Sequence, residues 1–239
     1  MELYNDDCLK KMKDIESNSI DLLFCDLPYG QTSCKWDCLI DLDEFWKQVN
    51  RICKDTTPMF FTCSTKFGVS LINSNPKNFR YDLVWVKSAP CGFLNAKKMP
   101  MNKHEMVYVF YKKLPLYDLS SHTHKFLKNK EESYITTTLY SDKKGKPRQV
   151  YRAEEGQYDP PLPNTILEVA SEKGKHATQK PVGLIEWCLK YYSKEGDKVL
   201  DPTMGSGSTG VACKNMNRHF IGIEMDKKIY DIAVERLNK

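Results

Sequence analysis

Asp26-Leu27-Pro28-Tyr29 follows directly on the apolar run Ile20-Asp21-Leu22-Leu23-Phe24-Cys25. A proline-stiffened turn at the end of a buried strand presents backbone carbonyls beside a carboxylate, and Tyr29 adds an aromatic face. Two hydrogen-bond acceptors and a stacking surface are what an amino group on a flat heterocycle requires. Taken alone, the tetrapeptide reads first as a strand-ending turn with a capping Asp and a packed Tyr. A second candidate is the glycine loop Asp201-Pro202-Thr203-Met204-Gly205-Ser206-Gly207-Ser208-Thr209-Gly210. Its glycines let the backbone bend tightly and approach a ligand, and the helix after it offers free amide groups. No Lys-Ser/Thr pair follows the glycines, which disfavours a P-loop. Glu224 ends the next strand, where a carboxylate can take both hydroxyls of a ribose. Alone, it reads as well as a solvated strand end.

The elements that must position these groups alternate in type. Ser19–Asp26, Pro58–Cys63, Tyr81–Val86 and Met106–Tyr111 read as strands, and Asp41–Cys53 has helical spacing. Later come the strands Thr165–Val169, Lys198–Asp201 and Phe220–Glu224, with helices at Val182–Ser193, Ser208–Met216 and Lys227–Leu237. This pattern predicts an α/β, doubly wound, mostly parallel Rossmann-like sheet. Between Lys112 and Pro163 the periodicity dissolves into a polar, loop-rich insert. The expected division is 1–111 plus 164–239 for the catalytic and cofactor-binding domain, with 112–163 inserted.

Charge is concentrated rather than spread. Residues 95–152 hold 13 Lys/Arg and 5 Asp/Glu, leaving 23 and 26 for the rest, so all the basic excess lies in one stretch. Tyr117, Phe126, Tyr134, Tyr140 and Tyr151 interleave it, which favours a phosphate-rich partner over a merely solvated face. The nine cysteines form no CxxC pair, and reduced thiols are expected. Cys34-x3-Cys38 has no second pair of matching spacing, and His122-x-His124 reads as two solvated histidines in a polar loop, so no metal is expected. No apolar run approaches the roughly 20 residues of a membrane span, and no signal peptide is evident, so a cytoplasmic protein is expected.

Taken in order, five blocks resemble the β subgroup of S-adenosylmethionine-dependent DNA amino-methyltransferases. Leu3-Tyr4-Asn5-Asp6-Asp7-Cys8-Leu9 looks like the opening block near the cofactor, and Asp26-Leu27-Pro28-Tyr29 is similar to the catalytic Asp/Asn/Ser-Pro-Pro-Tyr block. Asn102–Phe110 looks like the block before target recognition. His176-Ala177-Thr178-Gln179-Lys180-Pro181 resembles the block at the methionine end of the cofactor, and Asp201–Gly207 matches the glycine loop. Leu27 stands where the family has a first proline, Ala177 where Pro is usual, and Thr203-Met204 where Phe and a variable residue are usual.

The resemblance implies methyl transfer to the N6 amine of adenine in double-stranded DNA, with the base flipped out. It assigns catalysis to Asp26, Leu27, Pro28 and Tyr29. It assigns S-adenosyl-L-methionine to Asp7, Cys8, Asp26, His176, Thr178 and Lys180. In the glycine loop and beyond it adds Asp201, Pro202, Met204, Gly205, Ser206, Gly207, Thr209, Glu224 and Met225. The insert becomes the target-recognition region. A cognate restriction endonuclease is a partner the resemblance suggests, and monomer and homodimer both stay open.

Four rivals have their own features. Cytosine N4 methylation shares the chemistry, but Asp at the first catalytic position leans to adenine and Ser to cytosine. RNA or protein methylation usually goes with Asn-Pro-Pro-Tyr. Ring-carbon methylation needs a Pro-Cys nucleophile, and Pro90-Cys91 follows the wrong strand, so Cys91 is read as an ordinary thiol. An inactive DNA-binding relative is disfavoured by the intact Asp26, Tyr29, Gly205, Gly207 and Glu224.

Overall fold

The structure is a computed structural model. It describes residues 1–28, 39–124, 158–172 and 179–238, and the backbone of 134–141 and 147–151. The chain divides into two compact units, residues 1–118 with 165–239, and residues 119–164.

The larger unit is built on one eight-stranded sheet. In chain order its strands are β1 (Glu2–Tyr4), β2 (Leu22–Cys25), β3 (Met59–Cys63), β4 (Phe79–Cys91) and β5 (Asn102–Phe110), then β10 (Ile166–Glu168), β11 (Lys198–Asp201) and β12 (His219–Ile223). Their spatial order is β1-β12-β11-β2-β3-β5-β4-β10. Every neighbouring pair is parallel except the two that β5 makes, with β3 and with β4. The doubly wound, mostly parallel sheet expected from the alternation is what forms. All four residues of β2 and all five of β3 are buried, which is why these strands read as continuous apolar runs.

The chain leaves β2 in one direction toward β3 and later fills β11 and β12 on the other side. The strand order therefore reverses between β2 and β11, whose register pairs Leu22 with Val199 and Leu23 with Leu200. Such a reversal opens a crevice at the carboxyl ends of the two strands. Asp26 and Asp201 stand at those ends.

Among the described residues, six α-helices belong to this unit: α1 (Cys8–Lys11), α2 (Leu42–Ile52), α3 (Thr65–Ser74), α4 (Val182–Tyr192), α5 (Ser208–Asn215) and α6 (Lys227–Leu237). Asp41 starts α2 by accepting hydrogen bonds from the amides of Asp43 and Glu44. That helix buries Phe45, Trp46, Val49 and Ile52, the face its spacing announced. Trp46 packs 5.4 Å from Phe61 and 5.2 Å from Phe110, centroid to centroid, joining α2 to β3 and β5. Helix α3 was not evident in the sequence because Gly68 interrupts it. A Cβ at 68 would stand 2.3 Å from the Tyr108 ring, so glycine is what lets α3 approach β5.

The smaller unit contains two strand pairs, β6 (Thr123–His124) with β9 (Tyr158–Asp159) and β7 (Tyr134–Ser141) with β8 (Pro147–Tyr151), both antiparallel. Its polar pattern gave no sign of these strands. His122 is nearly buried, with Nδ1 2.8 Å from the Pro160 carbonyl, and the His124 ring packs on Tyr158.

Candidate active site

A cavity of about 310 Å³ opens where the strand order reverses. Asp26, Leu27 and Pro28 enter it from the end of β2, and Asp7 and Cys8 from the start of α1. Pro202, Met204, Gly205, Ser206 and Thr209 line it from the glycine loop and α5, with Asp201 beneath. Glu224 and Met225 close the far side, and Lys180 enters ahead of α4. Gly207 is described but does not line the cavity. Tyr29, His176 and Thr178 lie outside the described residues, as do Cys34 and Cys38.

The loop keeps its shape through its own bonds. Asp201 accepts the Thr203 amide at 3.1 Å and the Thr209 hydroxyl at 2.5 Å, closing the loop onto the first turn of α5. Burial pushes its carboxyl up to about 7, against those two donors, which favour the charged form. Gly205 and Gly207 have φ of +53° and +80°. Nothing lies within 4 Å of where a Cβ would stand at 205, whereas one at 207 would press on Ala233 and Leu237 of α6. At Gly222 of β12 a Cβ would come within 2.4 Å of the Met204 sulfur, so the bare backbone of β12 is the seat for that side chain.

Glu224 is fixed from both sides. One carboxylate oxygen accepts the Gly205 amide at 3.1 Å and the other the Asp226 amide at 2.8 Å. Burial raises its carboxyl above the usual range while these amides oppose the rise. Asn5 donates to the carbonyls of Glu224 and Met225, holding this corner against β1. Asp7 caps α1 by accepting the Lys10 amide, and burial pushes the Cys8 thiol up to about 12, so it stays protonated.

Asp26 has a different environment. Thr62 of β3 donates to Oδ1 at 2.8 Å, and Lys180 Nζ lies 2.6 Å from Oδ2. Lys180 also pairs with Glu105 of β5 at 3.1 Å, and Glu105 with Lys87 of β4 at 2.9 Å. The result is a chain of alternating charge, Asp26–Lys180–Glu105–Lys87, with Lys180 and Glu105 largely buried. Burial pushes the Asp26 carboxyl up, Lys180 pulls it down, and Glu105 adds to the rise. Burial also works against charge on Glu105, but Lys180 and Lys87 outweigh it and leave that carboxyl below its usual range. The Thr203 hydroxyl donates to the Asp26 carbonyl at 3.0 Å, tying the loop after β11 to the turn after β2.

The N6/N4 family model, described as DNA methylase, matches residues 20–235, which takes in every strand of this cavity. The chain belongs to the N6/N4 DNA methylase family. It is 30% identical to the Type II methyltransferase M.HinfI of Haemophilus influenzae, over 98% of this chain and 67% of that one. Identity to M.BglII of Bacillus subtilis is 28%, over 99% of this chain and 69% of the relative. The crystal structure of an M1.HpyAVI–SAM complex superposes with a TM-score of 0.66 at 25% identity, covering 99% of both chains. The cytosine-N4-specific PvuII DNA methyltransferase shares the fold, with a TM-score of 0.66 at 17% identity over 99% of this chain and 92% of that one.

For this DNA methylase, the sequence pointed to Lys180 as a cofactor residue, and the fold brings it onto Asp26. Thr62, Lys87, Glu105 and Thr203 join the site through the fold and are not marked as site residues by the sequence. Thr62 sits in an apolar run and Glu105 in a block read only by its position, so neither carried a local signal. Thr203 stands out in the sequence only as a departure from the usual loop.

Proposed function

We propose that this chain transfers the methyl group of S-adenosyl-L-methionine to the N6 amine of adenine in double-stranded DNA. The observation that carries the proposal is the Asp26 carboxylate facing the same cavity as the glycine loop and Glu224. The cavity suits the cofactor in its chemistry. Glu224 accepts from the amides of Gly205, Asp226 and Met225, and a carboxylate with roughly four acceptor directions keeps room for a ribose hydroxyl. Gly205 leaves open space beside the loop, and Met204, Phe24 and Ile40 supply apolar wall. When bound, the cofactor supplies an electrophilic methyl group on a sulfonium.

An exocyclic amine is a poor nucleophile because its lone pair is delocalised into the ring. Hydrogen bonds from its two hydrogens to Asp26 and to a backbone carbonyl of the turn favour a pyramidal nitrogen with a localised pair. Each Asp26 oxygen already accepts one donor, yet a carboxylate oxygen has two acceptor directions, so one stays for the amine. The same acceptors stabilise the positive charge that grows on nitrogen as its bond to the methyl carbon forms and the carbon–sulfur bond breaks, and the surplus proton on nitrogen then leaves to solvent. Lys180 and Thr62 aim the carboxylate and oppose the upward push of burial on it, so little reorganisation is needed when the amine arrives. Such a geometry is unreachable inside a duplex, so the base is flipped out, with Tyr29 as its stacking partner. The unit 119–164 is proposed to read the flanking sequence.

Asp at position 26 supports adenine over cytosine N4. The deciding experiment incubates DNA with labelled cofactor, digests it to nucleosides and identifies the methylated one. N6-methyladenine is expected. N4-methylcytosine would move the substrate while keeping the mechanism, and label on RNA or protein alone would overturn the proposal.

A further inference from the structure

The hairpin of β4 and β5 outgrows the sheet around it. Its last pairing with β10 is at Val86, and with β3 at Met106. Beyond these points it continues to a pairing of Cys91 with Asn102 and then to an ordered tip. Gly92 turns the chain at φ +90°, Asn95 donates back to the Gly92 carbonyl at 3.0 Å, and the Met99 amide donates to the Asn95 carbonyl at 3.0 Å. Every residue from Cys91 to His104 is exposed. On this fixed turn Phe93 is 80% and Leu94 96% exposed, with Met99 and Met101 beside them.

The charge of the same segment is one-sided. Residues 87–104 contain Lys87, Lys97, Lys98 and Lys103 and no acidic residue. A second copy presenting the same face would meet like charge, which selects against self-association there. The complementary surface is one of dense negative charge that also accepts apolar side chains, and a nucleic-acid groove is such a surface. At its base the hairpin is anchored to the proposed catalytic carboxylate through Lys87, Glu105 and Lys180.

We infer that this hairpin is an arm that grips duplex DNA beside the cavity. Lys97, Lys98 and Lys103 contact phosphates, and Phe93 with Leu94 enters a groove. The buried ion chain holds the arm in register with Asp26, so the duplex docks in a defined position relative to the carboxylate. This rests on the proposed methylation of DNA.

The test uses the full chain, a labelled duplex that the wild type methylates, and two variants. Removing the lysines together (Lys97→Ala, Lys98→Ala, Lys103→Ala) should lower the log–log salt slope of duplex binding by about 0.9 for each phosphate that is no longer neutralised. The apolar pair Phe93→Ser with Leu94→Ser should weaken duplex binding about tenfold at an unchanged salt slope. Cofactor titration should be unaltered in both, which also shows an intact fold. Wild-type duplex affinity and slope in both variants would overturn the arm. So would an apolar variant that keeps its duplex affinity while a wild-type dimer falls apart in sedimentation, because a second copy would then own the face. A wild type that methylates no DNA at all would instead overturn the functional reading on which the arm depends.

Discussion

Two buried aspartates stand at the ends of neighbouring strands, and burial pushes both carboxyls up, but their partners differ in kind. Asp26, after β2, has an ammonium 2.6 Å away and a hydroxyl on its other oxygen. Asp201, at the end of β11, is held among the described residues by a backbone amide and a hydroxyl, and burial carries its carboxyl up to about 7. The first has a counter-charge that opposes the upward push of burial, in a place where charge is needed. The second shapes a loop, a task a neutral group can do. A buried carboxylate in a ligand cavity is thus not by itself a mark of chemistry, and its counter-charge tells the two cases apart.

The sharpest way to break this contrast is Asp26→Ala. Methyl transfer should fall by at least about a thousandfold, while a cofactor titration still shows binding. Near-normal transfer would remove Asp26 from the mechanism. Next comes Lys180→Met, which strips the counter-charge and keeps the stem. The acid limb of the pH–rate profile, already above the usual carboxylate range, should move up by about one pH unit, with kcat falling more than KM rises. An unmoved limb would mean that Lys180 merely packs.

Asp201 offers a stability test with a defined sign. Its folded carboxyl is raised above its unfolded value, so its contribution is fully present below the unfolded range and is lost as pH rises toward and through about 7. Asp201→Asn keeps an acceptor for the Thr203 amide and removes the charge. The variant's Tm should lose less than the wild type's between pH 5 and 8, by about 5 °C. Parallel Tm curves for the two proteins would show that Asp201 is charged at little cost. The smallest effect is expected from Cys91→Ser, since that thiol ends β4 in an exposed position. Its methylation rate should stay within about twofold of wild type, and a collapse would revive ring-carbon chemistry.

Much of the frame was legible because it follows from local pattern. Lys198–Asp201 and Lys227–Leu237 form over the residues their periodicity indicated. The glycine loop and Glu224 stand next to each other as the strand–loop–helix–strand spacing implied. What escaped notice depends on contacts distant in sequence. Glu105 looks like a polar residue on the mixed end of a strand until the fold sets it between Lys87 and Lys180. Strands β4 and β5 proved longer than their apolar segments because their outer halves are polar and exposed, so no burial pattern marked them. Helix α3 hid behind Gly68, whose propensity argues against a helix and whose lack of a side chain makes room for Tyr108.

The seat of Met204 on Gly222 has a consequence for how this loop can drift in sequence. The thioether and the Phe220 ring together occupy the space that any side chain at 222 would claim. A residue larger than glycine at 222 would have to displace both of them, so trimming Met204 alone does not make room in β12. The glycine is therefore held by two neighbours at once, and relatives of this chain with a side chain at 222 should differ at 204 and at 220 together.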